Sequence, residues 1–538
     1  MSEPEQLQRP LRLHPASWLF GVAGLLKQML LPLIAMLVLG QKDAQWVLWA
    51  MPAMLALTLR SVLRARAFRY TVTASELLVR EGVLDHSLRH IPLARIQNIT
   101  QRQEFLHRIF GVTELRLTSA AGGKPEAVMK VLSLAAAAQL EALLRGGAHA
   151  QDGHEEADAR PRLLLAMPMR EVLLLGLSSN RGKLMVAAAF GAVMQSQALR
   201  SRAMQWSQGP VDALTRSFNA DLQSHAWLHL AALSLGLLLL SLVILQLLSA
   251  AMALVKFHNF KLEQQGERLL STSGLTAQTR AAVRLPRLQR WELSSSWLQR
   301  RLNRCQLSVT VAGQGDHKNE EEKFARFKEL APLATPAQAQ ALLRLCLPQL
   351  DWQTLSWQPL AEATLRRRLL GQARWLAPLW LAAIASNLAV DAIALPWPVL
   401  LWPMAVFSAL LLGAMLLHAR AWQGFAAYAR SGDLLLYRSG VFTQRWVIVS
   451  TAKLQSLRLY SSGLDRVFGL QHLQASTHGG PSGSGLARAL DIPCLPANEA
   501  ALLRASLWLK LTAMAAPNGL NASLRAPDRV GNQAPAGT

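Results

Sequence analysis

The sequence predicts a membrane α-helical plus α+β protein: three transmembrane helix pairs, each followed by an antiparallel β domain that closes with a C-terminal helix. Three observations carry that expectation. Apolar runs of membrane length come in pairs, basic residues gather on one side of every pair, and one ungapped residue pattern recurs after each pair.

Of 538 residues, 51% are apolar and 17% charged, against about a quarter charged in soluble domains. Residues 1–16 are polar and read as a cytoplasmic N-terminus without the ordered regions of a signal peptide. The first pair, within 17–66, is Trp18–Gly40 and Ala44–Val62, each near the roughly 20 residues needed to cross a hydrocarbon core. The second, within 171–256, is Lys183–Leu199 and Ala226–Val255; the pairing pattern assigns the shorter, Ala- and Met-rich run to a span. The third, within 372–419, is Gln372–Val390 and Ile393–Leu417.

Arg60, Arg64, Arg66 and Arg69 follow the first pair, Lys256 and Lys261 the second, and Arg366-Arg367-Arg368 and Arg420 flank the third. The short connections inside each pair are near neutral. Positive residues mark the cytoplasmic side, so both termini and the bulky segments are expected inside. This placement accounts for most of the +23 formal charge. Nucleic acid is excluded as a partner, because the basic residues sit at span ends and not on a soluble face with stacking aromatics.

The repeat fixes the domain organisation. Leu77-Leu78-Val79-Arg80-Glu81-Gly82 is matched by Leu269–Gly274 and Leu435–Gly440. Thirteen residues after each glycine stands a basic residue, Arg95, Arg287 or Lys453, and two further on a glutamine, Gln97, Gln289 or Gln455. Then come Leu106-His107-Arg108, Leu298-Gln299-Arg300 and Leu464-Asp465-Arg466 at the same spacing. Strand-length runs such as Tyr70–Thr73, Glu76–Arg80 and Thr113–Thr118 predict hairpins, with glycine at a turn that needs positive φ. Ala135–Leu144, Pro336–Leu345 and Ala497–Leu507 carry the apolar stripe of a closing helix. The three domains are 67–146, 257–348 and 420–510, with linkers at 147–170 and 349–371 and a disordered tail at 511–538.

The Leu-Leu-x-x-x-Gly hairpin, the Pro92–Asn98 strand entry and Leu106–Gly111 together resemble the bacterial pleckstrin-homology-like membrane proteins of the YdbS/YdbT type. The resemblance covers about residues 15–510. It departs in copy two at Asn303, where glycine stands in the others, and in the enlarged loop Asp316–Lys328. It implies PH-like domains on the cytoplasmic face of a bacterial inner membrane, with other membrane proteins or a smaller PH-like paralogue as partners.

No constellation for catalysis, a cofactor or a metal emerges. Gly479–Gly485 lacks the Gly-Lys-Ser/Thr ending of a phosphate loop. His154-Glu155-Glu156 lies in a linker, and His86, His90 and His107 have no counterparts in the other copies. Cys305, Cys346 and Cys494 form no zinc pattern and read as small buried hydrophobes. Lys27, Gln195, Gln246 and Asn387 are intramembrane polar residues without a relay. The sharpest positions are Arg95, Arg287 and Lys453 with Arg108, Arg300 and Arg466, which are candidates for contact with membrane lipid or a partner, with a structural role preferred. The function expected is a non-enzymatic scaffold or lipid- and protein-binding platform. The alternative is a transport-like or protective role against membrane-active toxins.

Overall fold

The structure, a computed structural model, describes residues 161–179, 227–312, 327–374, 398–478 and 486–515 without a break, most of 56–149, and isolated positions elsewhere. It divides into two compact units that meet in sequence near residue 348.

The first unit holds copies one and two. Copy one opens on β1 (Leu11–Arg12), β2 (Arg69–Val72), β3 (Glu76–Glu81) and β4 (Ser87–Pro92), a four-stranded antiparallel sheet in that order. It continues with β5 (Ile96–Glu104), the one-turn helix α1 (Phe105–Ile109), β6 (Val112–Ser119), β7 (Ala127–Ser133) and α2 (Leu134–His149). Tyr70, Leu77, Val79 and Ile91 from the first sheet, Leu115, Leu117 and Met129 from the second, and Leu140 from α2 make one core. The alternation of apolar positions in β2 and β3 therefore faces one side of the sheet, as a half-buried strand requires.

Copy two is built likewise from β8 (Arg162–Ala166), α3 (Met169–Ser178), α4 (Trp227–Phe257), β9 (Lys261–Gln265), β10 (Arg268–Ser273), β11 (Ala277–Arg284), β12 (Leu288–Ser296), α5 (Trp297–Arg301), β13 (Cys305–Val311), β14 (Glu329–Ala334) and α6 (Pro336–Cys346). Its first sheet does not stand alone. Strand β11 pairs with β5 of copy one, Ala277 opposite Glu104 and Ala281 opposite Thr100, so β7-β6-β5-β11-β10-β9-β8 is one seven-stranded antiparallel sheet.

The second unit repeats the plan with β15 (Gln358–Pro359), α7 (Ala363–Ala373), α8 (Pro398–Phe425), β16 (Ala427–Ser431), β17 (Leu434–Ser439), β18 (Thr443–Ser450), β19 (Leu454–Tyr460), α9 (Gly463–Val467), β20 (Leu470–His478), β21 (Leu486–Pro496) and α10 (Ala497–Ala515). Tyr428, Leu435, Val449, Leu473, Ile492 and Leu507 belong to its core.

Two readings of the sequence change here. The stretches taken as linkers, 147–170 and 349–371, are partly structured. Each contributes a strand, β8 or β15, that pairs with the first hairpin of the next copy, and each carries the start of a helix, α3 or α7. These strands were too short and too weakly alternating to show in sequence. The helices Ala231–Phe257 and Ala405–Phe425 are long and apolar enough to cross a membrane. The other expected spans, Trp18–Gly40, Ala44–Val62, Lys183–Leu199 and Gln372–Val390, lie largely outside the described residues, as do residues 516–538.

Helix α3 packs on α4 through small residues. A Cβ added to Gly176 would lie 2.3 Å from Ala250 Cα, and the Ser249 hydroxyl donates to Gly176 O at 2.7 Å. Close backbone approach of this kind is how apolar helices associate without a hydrophobic driving force between them. Gly176→Ala is therefore expected to destabilise by about 1–3 kcal/mol, whereas Gly236→Ala on α4, which meets nothing within 4 Å, is expected to change stability by less than about 1 kcal/mol. Thermal unfolding of both variants in mild detergent checks the contrast.

Candidate functional site

The two residue patterns that define the repeat meet at the joint between copies one and two. Gly274 has φ +121°, and Gly82 and Gly440 adopt the same region at +115° and +118°. At Gly274 a Cβ would fall 2.0 Å from Ala277 O, so only glycine fits this turn. The turn caps the end of α4: Gly274 N–H donates to His258 O at 3.0 Å and Leu275 N–H to Val255 O at 2.9 Å. These are carbonyls that a helix end leaves without internal partners. From copy one, the Arg108 guanidinium approaches Leu275 O at 3.5 Å. The departure at Asn303 changes no backbone: Asn303 holds φ +51° where Gly111 and Gly469 hold +62° and +64°, a conformation asparagine tolerates better than most residues.

Arg108, His258, Asn259, Ser273 and Gln278 surround a cavity of about 200 Å³ beside this turn. Every one of these side chains can donate a hydrogen bond, and among the described residues no carboxylate lines the cavity. It lies at the end of α4 from which the β domain extends.

The other repeated basic position faces a different environment. Arg287 ends the one-turn helix Leu285–Arg287 after β11. An eight-residue strand spans roughly 25 Å, and β11 starts beside the α4 end, so Arg287 belongs to the opposite end of the sheet. Burial, with Arg284 and Arg268 close by, lowers its pKa to about 10. Lys453 occupies the matching turn Thr451–Lys453 of copy three, and Arg95 lies outside the described residues. Gln289 is buried on β12, Gln455 exposed on β19, and Gln97 sits on β5. Arg300 is half-buried; Arg466, like Arg108, is exposed.

Sequence reasoning missed a third repeated position. The middle residue of each one-turn helix is a buried polar group: His107, Gln299 and Asp465. Each receives the helix that precedes its domain. Phe20 packs on His107 with ring centroids 4.3 Å apart. Gln299 Nε2 donates to Ser178 Oγ of α3 at 3.2 Å. Arg367 Nε of α7 donates to Asp465 Oδ1 at 2.6 Å. The chemistry differs in every copy, so no shared residue type signalled it.

The Asp465 socket is the most polar. Its backbone N–H donates to the Ser462 hydroxyl oxygen at 3.3 Å, which caps the helix, while Oδ2 accepts from Ser462 N–H at 2.8 Å. His472 Nε2 lies 3.2 Å from Oδ2. Burial opposes the charge, yet the Ser462 and Arg367 hydrogen bonds and His472 hold the carboxyl at about 2. Asp465, His472 and Cys494 bring three ligand-type atoms within 4.8 Å of one another. The carboxylate is already engaged by Arg367 and Ser462, and burial pushes the Cys494 thiol up. The donor set therefore fits an ion-pair lock better than a metal site. Beside it, Arg368 stacks 4.0 Å over the Trp422 ring of α8.

Asp465→Asn leaves Arg367 facing a neutral group and is expected to lower stability by about 3 kcal/mol. A carboxyl depressed to about 2 contributes fully above its unfolded value near 4 and loses that contribution as pH falls toward 2. Thermal midpoints measured from pH 6 to pH 2 should therefore fall more steeply between 4 and 2 for the parent than for Asp465→Asn.

The comparisons with known proteins agree with this architecture. Residues 19–148, 224–349 and 375–508 each match the family described as bacterial PH domain. A relative, the UPF0699 transmembrane protein YdbT of Bacillus subtilis (strain 168), is 22% identical over 335 residues, 59% of this chain. The chain spans 65% of that relative's length, less than two thirds. No solved structure matches. Three matches, each taking in a β domain and a helix that leads into it, place the chain in the bacterial PH domain family as a YdbT-type membrane protein with the domain repeated three times.

Proposed function

We propose that the chain is a non-enzymatic platform of the bacterial inner membrane. Three transmembrane helix pairs hold three PH-like domains at the cytoplasmic face, where they bind anionic lipid and associate with other membrane proteins. The cavity at the α4 end carries this reading. It combines the Arg108 charge with His258, Asn259, Ser273 and Gln278 and presents no acid among the described residues. A phosphate-bearing headgroup suits such a set of converging donors, and the anionic inner leaflet supplies one close at hand. The cytoplasmic orientation is supported by the Arg and Lys residues that flank the apolar runs.

The position of Arg108 at the cavity supports a different role for it than for Arg287. Arg108, at the cavity, is assigned to lipid, and Arg287, at the other end of the sheet, is not. In nanodiscs containing phosphatidylglycerol, Arg108→Gln is expected to weaken headgroup retention about fivefold, the equivalent of roughly 1 kcal/mol per basic residue at an anionic surface. Arg287→Gln is expected to leave it unchanged. Native mass spectrometry of the lipid-bound protein reads both. Equal loss in the two variants, or in neither, contradicts the assignment.

A further inference from the structure

The joint between copies one and two has two halves. Copy one supplies β5 as a sheet edge together with Arg108. Copy two supplies β11 as the receiving edge together with the Gly274 turn. By the repeat spacing, the counterpart of β11 and Gly274 in copy one is β4 and Gly82, and the counterpart of β5 and Arg108 in copy three is β19 and Arg466.

Both counterparts are terminal strands. Among the described residues β4 ends the sheet β1-β2-β3-β4, and β19 ends the sheet β19-β20-β21. An uncovered strand edge is a template for pairing with another chain. Here each edge has the form that its opposite receives inside the chain. Gly82 holds φ +115°, close to the +121° of Gly274. Arg466 is exposed on α9, as Arg108 is on α1.

We propose that β4 of one chain pairs antiparallel with β19 of a second copy, head to tail, reproducing the β5–β11 joint between molecules. The platform reading enters only by holding both copies at one membrane face. Transferring the register of Ala277–Glu104 and Ala281–Thr100 by the repeat offsets puts Leu88 opposite Leu459 and Arg89 opposite Arg458. Leu88 is 59% exposed, an aliphatic side chain left on a strand edge, and Leu459 is half-buried at the margin of the copy-three core. Facing aliphatic residues suit a cross-strand pair; facing arginines oppose it. Glu81, 3.1 Å from Arg89, offsets that repulsion in part. A head-to-tail contact is heterologous, so copies would close into a ring or extend into a row.

The test is cysteine cross-linking between two differently tagged full-length chains in one membrane, in a Cys346→Ser background because Cys305 and Cys494 are buried. One chain carries Leu88→Cys, the other Leu459→Cys. Mild oxidation is expected to give a disulfide-linked species of two chains that bears both tags and needs both cysteines. Arg458→Glu, which turns the opposed arginines into an attractive pair, is expected to raise the yield about threefold, and Arg466→Glu to reduce it several-fold. Three outcomes overturn the proposal: no cross-linked species while both chains remain folded by thermal unfolding; a disulfide that forms within one chain when both cysteines are on it but never between chains; or capture of a different protein at Leu459→Cys. None of these outcomes bears on lipid binding at Arg108, so the two readings fail separately.

Discussion

The antiparallel pairing of β5 with β11 is the contact on which the rest of the first unit depends. Each PH-like copy consists of two sheets packed face to face, and the strand at the edge of the second sheet exposes a row of backbone donors and acceptors. Such groups demand partners when water is withdrawn. Here the next copy provides them. The result is a seven-stranded sheet that belongs to two domains at once, so copies one and two are not beads on a flexible string. The joint also sets where α4 leaves the domain, because the Gly274 turn that lies beside it receives the helix's final carbonyls.

Sheet fusion fixes copies one and two laterally, and the buried polar residue of each one-turn helix ties its own domain to the helix that precedes it. His107, Gln299 and Asp465 occupy the same place in the repeat and serve as sockets by ring stacking, amide hydrogen bonding and ion pairing respectively. A buried ion pair is sensitive to loss of either partner, whereas stacking on His107 tolerates more change. The three copies therefore share geometry while differing in how strongly the incoming helix is held.

Much of the domain plan was legible in sequence. The glycine turns, the hairpins and the closing helices follow from positive-φ requirements and from apolar alternation, which act over a few residues. Asn303 looked like a departure, yet it preserves the left-handed conformation of Gly111 and Gly469. Other features depend on distant residues. β8 and β15 are short and take their identity from the strands they join. The pairing of Arg108 with the turn after Gly274 links positions 167 residues apart. No local pattern distinguishes Arg108, beside the end of α4, from Arg287 at the far end of the sheet, although both recur at fixed spacing. The Asp465, His472 and Cys494 cluster likewise assembles from α9, β20 and β21.

The most direct measurement of the central claim is hydrogen–deuterium exchange on the intact protein in nanodiscs. If β5 and β11 form one sheet, the amides of Ala277–Ala281 and Thr100–Glu104 exchange as slowly as those of β10, which lies inside the same sheet. Exchange of both segments at the rate of an open strand edge would contradict the fused sheet and return the copies to independent domains.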